Sequence, residues 1–218
     1  MSYAISDAQQ RMDRMYRHQR RIYDVTRRYY LLGRNHLITN LAVPAGGTIL
    51  EVGCGTASNL VQAAHRYPDA RLCGFDISTQ MLAQARVSLA RRALDGRVSL
   101  AIGDATAFHP AELFGVAKFD RIFTSYTLSM IPGWPAVLEQ MTRHLEPGGT
   151  IHVVDFGDCA GLPALAKTTL YGWLDKFGVQ PRQGMSEVLA NVGHQHGLRL
   201  QHSSLFRGYA QYGVLSTR

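Results

Sequence analysis

The chain has 218 residues, of which 46% are hydrophobic and 18% are charged. This composition predicts a folded domain with a full-sized core and excludes intrinsic disorder as the main state. The sequence contains neither an uninterrupted apolar run of about eighteen residues nor a secretory signal pattern, so we expect a cytoplasmic protein. Three cysteines without a CxxC pair argue against a disulfide framework and a structural zinc site, and we expect no metal.

The net charge of +7 is concentrated near the N-terminus, because residues 1–40 contain eight arginines and three aspartates. On a helical wheel, residues 8–32 place apolar and aromatic side chains on one face, with Tyr16, Tyr23 and Tyr30 among them, and arginines on the other. This pattern predicts an amphipathic helix whose basic face attracts an anionic membrane surface or a phosphate polymer. A solvated basic face with an apolar stripe packed on the domain body accounts for the pattern equally well.

From Thr48 onward, short apolar runs alternate with helical stretches. Such alternation predicts an α/β domain, over residues 41–218, whose mostly parallel sheet is covered by helices on both faces. Two C-terminal runs separated by Arg207 and Gly208 predict a hairpin, so the last strand should be antiparallel to its neighbours. The predicted strands cover 48–53, 71–77, 98–104, 119–127 and 150–156, the helices 58–66, 79–93, 134–145 and 162–177, and the hairpin 198–206 and 209–215.

A glycine-containing loop follows the first predicted strand, with the sequence Glu51-Val52-Gly53-Cys54-Gly55-Thr56. Glycines let the backbone turn tightly and approach a ligand closely. Ligands of doubly wound sheets bind at the carboxyl ends of strands, where this loop lies. Ser58 stands at the third glycine position of the dinucleotide fingerprint, which disfavours a pyrophosphate site. Taken alone, the loop is also compatible with a tight turn that binds nothing.

Two acidic residues end the next two strands. Asp76 follows the glycine loop by about twenty residues, the position from which a carboxylate accepts hydrogen bonds from both ribose hydroxyls. Asp104 ends the third strand, where its carboxylate or the adjacent amide can contact an adenine edge. Each acid alone could be a helix N-cap. Together with the glycine loop, the two acids indicate an adenosyl ligand.

These strand ends resemble the motifs of class I S-adenosylmethionine-dependent methyltransferases. The resemblance covers residues 48–157 and implies a Rossmann-like sheet, S-adenosylmethionine as the cofactor and S-adenosylhomocysteine as the product. It also assigns the antiparallel strand of the fold to the C-terminal hairpin. The motifs that carry the resemblance are ILEVGCGTA (49–57), FDIS (75–78), GDA (103–105), FDRIFTSYTLSMI (119–131) and LEPGGTIHVVDF (145–156).

The resemblance also implies which residues contact the cofactor. The methionyl part would lie over the glycine loop, the ribose beside the acid after the second strand, and the adenine beside the turn after the third. The implied cofactor residues are Glu51, Gly53, Gly55, Thr56, Asp76, Ile77, Met81, Asp104, Ala105 and Ser125, with Tyr16 from the N-terminal segment.

Residues 12–34 are similar to the N-terminal region of the bacterial diacylglyceryl-homoserine N-methyltransferases. This second resemblance implies trimethylation of a lipid amino group to give the betaine lipid diacylglyceryl-trimethylhomoserine, by an enzyme bound peripherally to the inner, anionic membrane surface. The lipid would be the partner, and the basic helix would supply membrane attraction. The class I resemblance implies that Tyr126 and Asp155, at strand ends, face the acceptor. For a lipid amine with a carboxylate we add Tyr23 and Tyr30 as a lid, and Arg34 and Arg207 for the substrate carboxylate.

Several alternatives keep the adenosyl site and change the acceptor. Phosphatidylethanolamine, a quinone or another small molecule would use the same chemistry. An RNA methyltransferase would place the N-terminal arginines on phosphates. The run Thr124-Ser125-Tyr126-Thr127 stands where an Asn-Pro-Pro-Tyr-like tetrapeptide would hold a flipped base, which disfavours nucleic acid as a partner. The non-enzymatic alternative is a catalytically silent adenosyl-binding protein that docks on a membrane or partner through its N-terminal helix.

Overall fold

The computed structural model describes residues 31–175 and 179–217. The predictions for Tyr16, Tyr23 and Tyr30, and almost all of the predicted N-terminal helix, lie outside these residues. The described end of that segment forms a short helix, α1 (Arg34–Asn40), which begins after Gly33 at a φ of 85°. Side chains before, within and after α1 are buried in the core, so this helix belongs to the body of the domain; they are Leu31, Leu37, Ile38 and Leu41.

Within the described residues, seven strands form one sheet in the order β3-β2-β1-β4-β5-β7-β6. The first five strands are parallel, and β7 is antiparallel to both β5 and β6. This topology confirms the predicted Rossmann-like sheet with an antiparallel C-terminal strand. The strands are β1 (Thr48–Val52), β2 (Arg71–Asp76), β3 (Val98–Ile102), β4 (Phe119–Ser125), β5 (Leu145–Phe156), β6 (Leu198–Leu205) and β7 (Ala210–Thr217).

Helices cover both faces of the sheet. One buried cluster contains Leu37, Leu60 and Leu82, and the other contains Val137 and Leu189, so each face has its own layer of apolar contacts. The remaining helices are α2 (Ser58–Arg66), α3 (Thr79–Ala90), α4 (Pro110–Phe114), α5 (Trp134–Arg143), α6 (Ala164–Asp175) and α7 (Met185–Gln195), with a 3₁₀ helix at Leu128–Met130.

The sequence analysis predicted α2, α3, α5 and α6 and missed the other three helices. Residues Met185, Leu189 and Val192 are buried on α7 and are spaced by four and three residues, which is a helical signal. Helix α4 has only five residues, which is too short for a periodic pattern. None of the helices in the described ranges has both the length and the hydrophobicity that are needed to cross a lipid bilayer.

Candidate active site

A cavity of about 770 Å³ opens at the carboxyl edge of strands β1 to β4. This volume is within the range of small-molecule sites. One part of the wall consists of the glycine loop and the ends of β2 and β3, and another part consists of residues that follow β4. The sequence-predicted residues that line the cavity are Arg34, Glu51, Gly53, Gly55, Thr56, Asp76, Ile77, Asp104, Ala105, Ser125 and Tyr126.

The glycine loop turns sharply because Gly53 and Gly55 have positive φ angles of 72° and 52°. The amides of Gly53 and Cys54 both donate to the Phe75 carbonyl, at 3.0 and 2.9 Å. A Cβ at position 53 would lie 2.3 Å from the Thr127 Cγ2 atom. The close approach of these two loops therefore requires glycine at position 53 for steric as well as conformational reasons.

Asp76 lines the cavity and also braces the glycine loop. Its Oδ2 accepts a hydrogen bond from the Gly55 amide at 2.8 Å, and its Oδ1 accepts one from the Ser78 amide at 2.9 Å. Each carboxylate oxygen has two lone pairs, so these bonds are compatible with further donors such as ribose hydroxyls. Asp76 therefore has a structural role in the loop that the sequence analysis did not predict.

Asp104 shapes the turn after β3. Its Oδ1 accepts hydrogen bonds from the Thr106 amide at 2.8 Å and the Thr106 hydroxyl at 2.7 Å. The prediction for Met81 differs from the structure, because this residue is absent from the described lining and is only 5% exposed. Its amide instead donates to the Ser78 hydroxyl, the N-cap of α3, so Met81 is held inside the first helical turn.

Glu51 is a buried carboxylate in the cavity wall, with only 1% of its surface exposed. The Asn59 side-chain amide donates to Glu51 Oε1 at 2.7 Å. Asn59 also lines the cavity and was not singled out from the sequence. Its position in the first turn of α2, directly after the glycine loop, is the signal that would have found it.

Tyr126 follows the end of β4 at a φ of 57°, a conformation that is uncommon for residues other than glycine. Its hydroxyl donates to the Leu32 carbonyl, and its ring packs edge-on against Phe156 with 4.6 Å between ring centroids. Burial raises the pKa of Tyr126 well above its ordinary value, and nearby Tyr209 and Asp155 raise it further. Tyr126 therefore presents a neutral phenol to the cavity.

Asp155 occupies a different place from the predicted one. It is fully buried and is not among the described residues of the cavity wall. Its two oxygens accept hydrogen bonds from the Ser129 and Phe156 amides, at 3.0 and 2.8 Å. Burial raises the pKa of Asp155 from 3.8 to about 6, although both backbone bonds oppose this shift. The geometry thus corrects the prediction that Asp155 faces the acceptor, because its carboxylate is engaged by the backbone behind the wall.

The two arginines predicted to bind the substrate are separated. Arg34 lines the cavity, and its Nε donates to the Leu31 carbonyl at 3.2 Å. Arg207 is exposed in the turn between β6 and β7, outside the described lining. Its carbonyl accepts from the Gly161 amide at 3.0 Å, so this turn packs on the segment after β5. The structure therefore keeps Arg34 as a candidate and does not bring Arg207 to the site.

The histidine, cysteine and acidic side chains of the described residues form neither a metal cluster nor a disulfide. In residues 31–175 and 179–217, no group of three or more His, Cys, Asp or Glu side chains is arranged to hold a metal ion. The three cysteines, Cys54, Cys73 and Cys159, are free and buried. Burial raises the pKa of the Cys73 thiol to about 11, so it remains protonated at neutral pH.

Comparison with known proteins gives consistent matches. Residues 49–149 match a family model described as a methyltransferase domain. The trans-aconitate 2-methyltransferase of Streptomyces avermitilis is 36% identical over 103 residues, which is 47% of this chain and 36% of that protein. The phosphatidylethanolamine N-methyltransferase of Cereibacter sphaeroides is 30% identical over 142 residues, which is 62% of this chain and 66% of that protein.

A solved structure agrees with the fold. The phosphoethanolamine N-methyltransferase 2 of Haemonchus contortus, in complex with S-adenosylmethionine, aligns with a TM-score of 0.66 at 15% identity, covering 84% of this chain and 52% of that one. The chain spans only 32–42% of the length of the trans-aconitate methyltransferases that it matches. Residues 49–149 match a methyltransferase domain, and the fold that surrounds them is the Rossmann-like methyltransferase fold.

Proposed function

We propose that the chain is an N-methyltransferase that transfers methyl groups from S-adenosylmethionine to the amino group of a lipid headgroup. The observation that carries this proposal is the difference in charge between the two parts of the cavity wall. Three carboxylates, of Glu51, Asp76 and Asp104, line the part formed by the strand ends, and Arg92 after α3 also lines the cavity. In the other part Arg34 lies close enough to Tyr126 to interact with it electrostatically. A zwitterionic headgroup fits the second part, with its anionic group beside the guanidinium and its amine beside the aromatic ring.

The cavity fits S-adenosylmethionine at the glycine loop. Gly53 provides a surface without a side chain, and Asp76 provides a carboxylate for ribose hydroxyls. Glu51, which Asn59 orients, supplies negative charge near the loop. When bound, this cofactor supplies an electrophilic methyl group on a cationic sulfonium, and carboxylates in the wall favour a cation.

The residues near the acceptor serve to position it. In-line methyl transfer requires the amine lone pair to point at the methyl carbon, opposite the sulfonium leaving group, so holding the amine in this orientation lowers the activation barrier. Tyr126 remains a neutral phenol, and its hydroxyl already donates to the Leu32 carbonyl. Its role is therefore to present a ring face to a developing ammonium, and proton removal is left to solvent.

Diacylglyceryl-homoserine is the acceptor we propose within this class. The similarity of residues 12–34 to the enzymes that methylate this lipid supports it, and so does the match to a phosphatidylethanolamine N-methyltransferase over 62% of the chain. Both headgroups carry an amine and an anion. We further propose that the basic segment before α1 brings the enzyme to anionic membranes, with Tyr23 and Tyr30 closing over the acceptor.

O-methylation of a small carboxylic acid is the second candidate. Its support comes from the trans-aconitate 2-methyltransferase matches and from Arg34, because a guanidinium in the cavity wall binds a carboxylate as readily as a phosphate. The two candidates differ in the atom that is methylated, an amine nitrogen or a carboxylate oxygen.

One experiment distinguishes these functions. The full chain is incubated with methyl-labelled S-adenosylmethionine and one of four acceptors. These are vesicles that contain diacylglyceryl-homoserine, vesicles that contain phosphatidylethanolamine, pure phosphatidylcholine vesicles, and trans-aconitate. We expect label in the extracted lipid of the first vesicles, in mono-, di- and trimethylated products, and none in phosphatidylcholine. Label in phosphatidylethanolamine alone would show that this lipid, and not diacylglyceryl-homoserine, is the acceptor. Label in trans-aconitate alone would overturn lipid methylation.

A further inference from the structure

The segment that follows β4, residues 127–133, forms much of the acceptor side of the cavity, and we call it the acceptor loop. The 3₁₀ helix at Leu128–Met130 begins it, and residues 130–133 line the cavity directly. A single 3₁₀ turn makes few internal hydrogen bonds and leaves carbonyl groups at its end that need other donors. The position of this wall therefore depends on contacts from elsewhere in the chain.

Arg182 supplies those donors. It lies between α6 and α7, and its Nε donates to the Leu128 carbonyl at 2.9 Å. Its Nη2 donates to the Ile131 carbonyl at 2.8 Å and to the Ser129 carbonyl at 3.3 Å. One planar guanidinium thus binds both ends of the 3₁₀ helix, which the single ammonium of a lysine could not do with the same geometry.

Asp155 holds the same segment through a backbone amide. Its Oδ2 accepts a hydrogen bond from the Ser129 amide at 3.0 Å, while its Oδ1 is bonded to the Phe156 amide of β5. The loop is therefore held by a carboxylate on its amide side and by a guanidinium on its carbonyl side. The opposite charges of the two groups also attract each other.

Arg182 is itself fixed to the sheet. The Gln211 side-chain amide on β7 donates to the Arg182 carbonyl at 3.1 Å and to the Phe156 carbonyl at 2.7 Å. The neighbouring Gln180 amide donates to the Ser129 carbonyl at 3.1 Å. These bonds connect the acceptor loop, the segment before α7 and the ends of β5 and β7 in one network.

We propose that Arg182 is a positioning residue for the acceptor: together with Asp155 it fixes the acceptor loop and thereby sets acceptor binding, while cofactor binding depends on the other wall. The kinetic part of this inference rests on the proposed function. The bonds of Arg182 reach residues 128–131, whereas the glycine loop is braced by Asp76 and Phe75. The two walls meet at Thr127, whose hydroxyl donates to the Gly53 carbonyl at 3.2 Å and which Arg182 does not bind. Loss of Arg182 should therefore release one wall of the cavity and leave the other in place.

The test compares Arg182→Met and Arg182→Lys with Arg199→Met, a change of an exposed arginine on β6. For Arg182→Met we expect the KM for the lipid acceptor to rise by about tenfold or more, because several charge-assisted hydrogen bonds are lost. The affinity for S-adenosylhomocysteine should stay within about twofold of wild type, since the lost bonds are made to residues 128–131 and not to Thr127 or the glycine loop. Arg182→Lys should recover part of the loss, and Arg199→Met should resemble wild type. An unchanged acceptor KM, or a parallel fall in cofactor affinity, would overturn the proposal.

A second readout does not depend on the acceptor. Amide hydrogen exchange in residues 127–133 should accelerate in both Arg182 variants. Exchange in the glycine loop of these variants, and exchange in residues 127–133 of Arg199→Met, should stay at the wild-type rate. If the wild-type chain methylates no lipid, the proposed function fails, and this exchange comparison still decides the positioning role. Equal exchange of residues 127–133 in wild type and Arg182→Lys would overturn it. Because lysine keeps the charge, Arg182→Lys also serves if Arg182→Met does not fold.

Discussion

The two walls of the cavity are built in different ways. In the wall that faces the cofactor, hydrogen bonds connect close neighbours, such as Asp104 with Thr106, or the ends of adjacent strands, such as Gly55 with Asp76, 21 positions apart. In the wall that faces the acceptor, Arg182 bonds to Leu128, a residue 54 positions away. The first wall therefore forms with the strand ends themselves, whereas the second requires the chain to complete α6 and return to the sheet. Local sequence motifs can specify the first wall but not the second.

The largest effect on the cofactor wall should come from Gly53→Ala. The added Cβ would meet Thr127 Cγ2 at 2.3 Å at a residue whose φ is positive, which combines a clash with backbone strain. We expect affinity for S-adenosylhomocysteine to fall by about 2 kcal/mol or more, measured by calorimetry. Gly46→Ala is the matched control, because Gly46 has a similar φ of 67° and nothing within 4 Å of its added Cβ. Equal affinity in the two variants would show that the close approach at Gly53 does not shape the site.

The next effect should come from Asp76→Ala, which removes a cavity carboxylate and the brace on Gly55. Binding of S-adenosylhomocysteine should weaken by about 1.5–3 kcal/mol, the range for a hydrogen bond that involves a charged group. Asp69→Ala, a change of an exposed aspartate on the connection before β2, is the control. Calorimetry that returned the wild-type affinity for Asp76→Ala would remove this residue from the site.

Asp155 provides a pH-dependent test of the acceptor wall. Burial raises its pKa from 3.8 to about 6, with Arg182 and Tyr126 as the charged or titratable groups that face it. Because the folded state then binds the proton more tightly, the contribution of this group to stability is present below pH 3.8 and is lost as the pH rises through about 6.

The measurement is the free energy of unfolding of wild type and Asp155→Asn in urea, from pH 4.5 to 7.5. The wild-type value minus the variant value should decrease as the pH rises to about 6 and stay constant above about 7. A difference that increases with pH over this window would mean that the carboxylate is stabilised in its charged form, contrary to its burial.

A smaller effect is expected from Arg34→Met, because Arg34 is only partly buried. Loss of its pairing with the acceptor anion should raise the acceptor KM by a factor that corresponds to about 1 kcal/mol. Arg207→Met is the control, since Arg207 lies in the β6–β7 turn outside the described lining. Kinetics on lipid vesicles should separate the two variants, and the same KM change in both would argue against an anion site at Arg34.

The sequence predicted the parts of the molecule that depend on local patterns. Alternating apolar runs gave the parallel strands, and the turn at Arg207 and Gly208 gave the antiparallel hairpin. Gly53 and Asp76 were predicted because a glycine turn and an acid at a strand end are chemically distinctive, and the pairing of β1 with β2 brings both into the cavity lining.

The acceptor wall was less predictable for physical reasons. A strand-end position does not say whether a side chain faces the cavity or the core, and Asp155 turned out to be buried behind the wall. Arg182 has no local motif, and its role follows only from long-range packing against residues 128–131. Arg207 was chosen for its charge, but the hairpin turn places it on the segment after β5.

The central claim is that the two walls act separately on cofactor and acceptor. Titration of S-adenosylhomocysteine into wild type, Asp76→Ala and Arg182→Met by calorimetry tests it most directly. The account predicts at least about a tenfold loss of affinity in Asp76→Ala and less than about a twofold change in Arg182→Met. Comparable losses in both variants would contradict it, because they would show that the acceptor loop and the glycine loop form one coupled site.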